Sequence, residues 1–153
     1  MRAKGIALIV ALLAFKLGAA TPQYGQKDAT LSADAVHARH SLAVSFLRAI
    51  NTAEVDYKFK RGTYASKEAL LASEEFTVRG MAWAARNDPQ LANAHLSSGP
   101  EILPGWSLRL NLTAEGNGYD VLLEDLTDKT CGYAAGSDER GVIRQSKVID
   151  CEI

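Results

Sequence analysis

The chain has 153 residues, 47% of them hydrophobic and 23% charged, enough apolar material for one buried core and far from the composition of a disordered segment. Its formal charge is −1, and without residues 1–20 it carries 14 Lys and Arg against 18 Asp and Glu, a net of −4. Neutralising phosphates needs a concentrated basic face, so nucleic acid is excluded as the expected partner.

Arg2 and Lys4 are followed by an apolar run over residues 5–15, and Gly18, Ala19 and Ala20 supply small side chains ahead of Thr21 and Pro22. That order is the order of an export signal. The apolar run is shorter than the roughly 20 residues of a comfortable membrane span, and Lys16 interrupts it. Cleavage after Ala20 is the preferred reading and implies an extracytoplasmic location, periplasmic or secreted. The alternative is a retained anchor in which Lys16 snorkels and residues 17–20 lengthen the apolar stretch; only then is the membrane a partner. Residues 21–31, polar and containing Pro22 and Gly25, read as a linker. This leaves 32–153 as one domain.

From Ser32 onward the pattern is helical. Ser32 suits a cap, Asp34 suits the positive end of the helix dipole, and Val36, Ala43, Leu47 and Ile50 recur at three- and four-residue steps. Leu42, Phe46, Ala49 and Ala53 widen the stripe, with His37, Arg39, Ser45, Arg48 and Thr52 at its edges or outside. The expected helix has about five or six turns at 3.6 residues each. The run Glu54, Asp56, Lys58, Lys60, Arg61 is mixed in sign and reads as solvated surface. Gly62 ends the helix or follows it closely, and Ser66 starts a shorter helical turn through Leu70 and Leu71. Residues 74–104 are harder to read. Phe76, Met81, Trp83 and Ala84 suggest a second amphipathic helix, but Gly80 weakens it, and Pro89, Gly99, Pro100 and Pro104 break up the rest of the stretch.

After Pro104 the period becomes two. Trp106, Leu108, Leu110 and Leu112 alternate with polar residues, residues 115–118 form a turn, and Tyr119, Val121 and Leu123 begin a return strand. A third strand is expected over 130–135, a turn over 136–141 and a fourth strand over 142–146. The predicted architecture is α+β: one long N-terminal amphipathic helix packed on a roughly four-stranded antiparallel meander. Cys131 and Cys151 are the only cysteines. In an exported chain two lone cysteines pair more often than they bind metal, and two buried free thiols are the alternative.

Two blocks carry a resemblance. The first is the run Leu47, Arg48, Ala49, Ile50, Asn51, Thr52, Ala53, Glu54, Val55, continued by Tyr57 and by Gly62, Thr63, Tyr64, Ala65, Ser66. The second is Asp138, Glu139, Arg140, Gly141, Val142, Ile143, Arg144. The first resembles the end of the long helix and first loop of bacterial type IV pilin-like proteins, and the second is similar to the hairpin that closes their sheet. Together they cover about a fifth of the chain. The resemblance implies a pilin-like globular head, with Cys131 and Cys151 corresponding to the disulfide-bounded loop of many pilins and Asn51, Thr52, Tyr57, Gly62, Tyr64 and Gly141 as structural motif positions. The N-terminus departs from the family. Assembling pilins carry a short basic leader ending in Gly, a glutamate at the fifth mature position and a long apolar helix. Here Ala19 follows Gly18, no glutamate precedes Glu54, and the apolar run comes before Gly18. A role as a major filament subunit is therefore not expected.

No nucleophile elbow, phosphate-binding glycine loop, HExxH or paired-carboxylate motif occurs, so the sequence predicts no enzyme and no cofactor. His37 and His40, with Asp34 one turn earlier, are a weak metal-ligand set that a solvated helix edge explains better. Asn51 and Thr52 stand where the helix meets the loop, and the expectation is that Asn51 bonds loop backbone there. Tyr57, Tyr64, Trp83 and Trp106 read as core or groove-lining residues ahead of a binding platform; of these Trp83 is the candidate contact residue, because it lies in the segment least constrained by the sheet. The expected function is protein–protein contact, with residues 74–104 and the cysteine-bounded loop as the variable surface and the partner unidentified. A periplasmic small-ligand or metal-binding protein is the alternative.

Overall fold

The computed structural model describes residues 31–129 and 132–147. The export segment 1–20, all of the linker except Leu31, and both Cys131 and Cys151 lie outside the described residues.

Helix α1, Ala33–Arg61, is 29 residues long, about eight turns at 3.6 residues per turn. The Ser32 hydroxyl accepts the Ala35 N–H at 3.2 Å, Asp34 sits in the first turn, and Lys58, Lys60 and Arg61 sit in the last. Gly62 closes it with φ +84°, a left-handed conformation that glycine adopts without a Cβ penalty, and donates its N–H to the Lys58 carbonyl. The helix outruns the expected five or six turns because the charged stretch beyond Ala53 continues helical. Its lysines find partners: Lys58 bonds the Asn117 carbonyl and Lys60 bonds Glu75.

Helix α2, Lys67–Leu71, is capped by Ser66 as the sequence suggests. A π-helical turn, Glu75–Gly80, then leads into α3, Met81–Asn87. Gly80 interrupts the helical pattern for a packing reason: a Cβ there would lie 2.9 Å from the Ala49 carbonyl oxygen of α1. Only glycine lets the two helical segments approach this closely.

The sheet has five antiparallel strands in chain order: β1 Glu101–Leu103, β2 Trp106–Leu112, β3 Tyr119–Asp125, β4 Ala134–Asp138 and β5 Arg144–Ser146. The expected meander of about four strands gains β1, a three-residue strand between Pro100 and Pro104. The third and fourth strands begin later than expected, and residues 136–138, expected in the turn, belong to β4. Gly136 and the small residues Ala134, Ala135 and Ser137 have no hydrophobic alternation to read. α1 packs on β3 and β4 with one flank and on the π turn and α3 with the other. The core between them includes Phe46, Leu47, Ile50, Phe76, Trp106, Leu108, Val121 and Leu123. Among the described residues no helix is long and apolar enough to cross a membrane.

Candidate functional site

The first block that carried the resemblance reaches the strand that leads into the second. Asn51, in the second half of α1, donates its side-chain amide to Ser137 Oγ at 2.9 Å and accepts the Tyr119 hydroxyl at 2.8 Å. It therefore fixes the helix to β3 and β4 through side chains, not to loop backbone as expected. Thr52 points outward and bonds the Arg48 carbonyl one turn back. Tyr64 packs edge-to-face on Tyr119 with ring centroids 4.9 Å apart, under the Lys58 ammonium at 4.2 Å, and its N–H reaches the Gly116 carbonyl. Tyr57 is half-buried beneath the Arg61 guanidinium. Gly141, at φ +73°, lies in the β4–β5 turn, where Asp138 accepts bonds from Arg140 and Arg144.

Glu54 is the residue that the sequence reading missed. Far from being solvated, it is 0% exposed. Its Oε2 accepts the Ala65 N–H at 2.9 Å, while Oε1 has no partner. Burial pushes its pKa up to about 7, against the smaller opposing pull of that hydrogen bond. Burial likewise drives the Tyr119 hydroxyl well above its ordinary range. The signal was present: Glu54 continues the stripe of Ala43, Leu47 and Ile50 at the same steps. Asn51, Tyr64, Tyr119 and Ser137, with the half-satisfied carboxyl of Glu54 beside them, tie α1 to the sheet and to the loop after Gly62.

At the other end of α1, Arg39 grips Asp125 through two bonds of 2.7 Å and lies 4.8 Å over the Trp106 ring. Asp125 Oδ1 also accepts the Thr127 N–H and hydroxyl. Burial alone would raise the Asp125 pKa, but the Arg39 and Thr127 bonds outweigh it and hold it low. His40 stacks on Tyr133 with centroids 3.8 Å apart, and burial followed by the Lys147 charge lowers its pKa. His37 is exposed, so the two histidines of the metal alternative do different things. Among the described residues no group of three or more His, Cys, Asp or Glu side chains could hold a metal ion.

Trp83 is half-buried against the core, whereas Phe59 is 91% exposed, with Val55 one turn back on the same ridge and Val78 exposed on the π turn. Salt bridges stitch that turn to α1, Lys60 to Glu75 at 2.7 Å and Arg79 to Asp56 at 3.2 Å. These pairings bring the exposed part of residues 74–87 alongside the last turns of α1. The sequence hid Phe59 inside a charged run, but its place outside the apolar stripe marked it as outward.

Comparison with protein-family models, with curated proteins and with solved structures finds no match for this chain.

Proposed function

We propose that this chain is an exported, non-enzymatic pilin-like domain that acts by protein–protein contact at the cell envelope or outside it, and is not a major filament subunit. One observation carries the reading. The two pilin-like blocks are far apart in sequence, yet Asn51 of the first bonds Ser137, the residue directly before the second, across 86 residues. The order of a long helix followed by an antiparallel meander adds to it. The ridge of Val55 and Phe59 with the neighbouring π turn supplies an exposed apolar surface, and the expected variable surface, residues 74–104, begins there.

Cell fractionation combined with N-terminal sequencing of the recovered protein tests this reading. Recovery outside the cytoplasm with a start at Thr21 is the expected result. Recovery in the cytoplasm would overturn the export half, and substrate turnover at enzyme-like rates in an activity screen would overturn the non-enzymatic half. A methylated residue after Gly18 would overturn the assignment to ordinary export by indicating pilin-type processing.

A further inference from the structure

Beyond its short pairing with β1, the outer edge of β2 has no neighbouring strand among the described residues. In an antiparallel ladder, successive residues turn their backbone groups to opposite sides. Arg109 and Asn111 stand opposite Leu122 and Asp120 of β3, and Thr113, two residues on, donates its N–H to the Gly118 carbonyl at 2.9 Å. Leu108 turns the other way: its N–H reaches the Pro100 carbonyl at 3.3 Å and its carbonyl accepts Lys67 Nζ at 3.5 Å. The same alternation turns the N–H and C=O groups of Leu110 and Leu112 outward. β1 pairs only with Trp106 and Ser107, so among the described residues nothing meets those four groups. Beside them runs an open cleft of about 510 Å³, whose opposite wall is residues 66–68 at the start of α2.

We propose that this edge accepts an extended segment of a partner polypeptide, one that alternates aliphatic with acidic residues, as an added strand. Two donors and two acceptors at β-strand spacing are matched by another extended backbone, the recognition mode of strand addition. The inner positions of the added strand lie beside Leu110 and Leu112, the latter 39% exposed, and suit aliphatic side chains. Its outer positions lie beside Arg109, which bridges Glu124 of β3 through Nη2 at 3.2 Å, is 62% exposed and keeps further N–H donors of its guanidinium for a second acid. β2 of a second copy, reading WSLRLNL, offers no acid to face Arg109. Edges of this kind are usually blunted by charge, proline or cover. Here Lys67 and Pro100 blunt the edge at Leu108 and leave the next four residues open. The inference deepens the contact role proposed above and rests on it for the existence of a partner. A peptide titration reads the edge alone, so it can fail while export and contact elsewhere hold.

The probe is a nine-residue amidated peptide of alternating valine and glutamate, titrated into the purified 15N-labelled full chain. Saturable shifts of the Leu110 and Leu112 amides are expected, with solvent exchange slowed by about tenfold or more. The same peptide N-methylated along its docking edge gives no shift, and a valine–lysine peptide binds more weakly. Leu112→Pro removes an outward N–H that the ladder does not use, and weakens binding by about fivefold or more for one lost bond. Equal binding by the N-methylated peptide, or shifts that spare Leu110 and Leu112, would overturn the proposal. So would protection of these amides by rising protein concentration without peptide, which would assign the edge to a second copy.

Discussion

The two ends of α1 are pinned to the sheet by opposite electrostatic means. Near the N-terminal end the pin is a charged pair, Arg39 on Asp125, in which the buried carboxylate also receives Thr127. Near the C-terminal end the pin is neutral: Asn51 between Tyr119 and Ser137, with the buried Glu54 beside it keeping one oxygen unpartnered. A carboxylate with a guanidinium partner stays ionised when buried. One with a single backbone N–H and no cation has its proton affinity raised. The same helix therefore responds to pH in opposite directions at its two ends.

The largest expected effect comes from breaking the charged pin. Arg39→Met leaves Asp125, 3% exposed, without its cation, and should destabilise the fold by about 3 kcal/mol in chemical denaturation at neutral pH. Losses below about 0.5 kcal/mol would show that the pair contributes no more than an exposed surface salt bridge.

The next effect reads the neutral pin through pH. The folded pKa of Glu54 is raised from 4.5 to about 7. Its favourable contribution is thus complete below pH 4.5 and is lost as pH rises through 7. One pKa unit corresponds to about 1.4 kcal/mol, which bounds the loss at about 3 kcal/mol. Asp125 behaves oppositely, since its folded pKa lies below 3.8: its contribution is present above 3.8 and is lost in stronger acid. His40, lowered from 6.5, adds stability as pH rises towards 6.5 and offsets part of the Glu54 decline. Glu54→Gln, which mimics the protonated acid, should flatten the fall in stability between pH 5 and 8 seen by thermal melting. A parallel decline in the variant would contradict the assignment to Glu54.

Asn51→Ala should cost about 2 kcal/mol, because it strands the Tyr119 hydroxyl and Ser137 together. Its pH dependence should match that of the parent chain. Phe59→Ser, on the solvent side of the same helix, should change stability by no more than about 0.5 kcal/mol. That variant separates the proposed contact ridge from both pins.

Much of this frame was legible from local chemistry. Ser32 and Gly62 mark the ends of α1, Ser66 caps α2, and the alternation of Trp106, Leu108 and Leu110 gives β2. β4 was misplaced because Ala134, Ala135, Gly136 and Ser137 acquire their burial from α1 and not from their own hydrophobicity. β1 was missed because three residues between two prolines are too few to show a period. At the candidate site Asn51 stood out as a polar residue at a helix–loop junction. Its partners did not, since Tyr119 and Ser137 lie 68 and 86 residues away in sequence. Phe59 went unread because aromatic identity alone does not say which helix face is covered.

The proposed contact role is tested most directly by replacing Phe59 of the full chain with a photoreactive amino acid and irradiating intact cells. The account predicts a covalent adduct to another polypeptide of the envelope, with the Phe59→Ser stability control unchanged. A protein that reaches the envelope yet forms no adduct from Phe59, from Val78 or from positions along the β2 edge would contradict it.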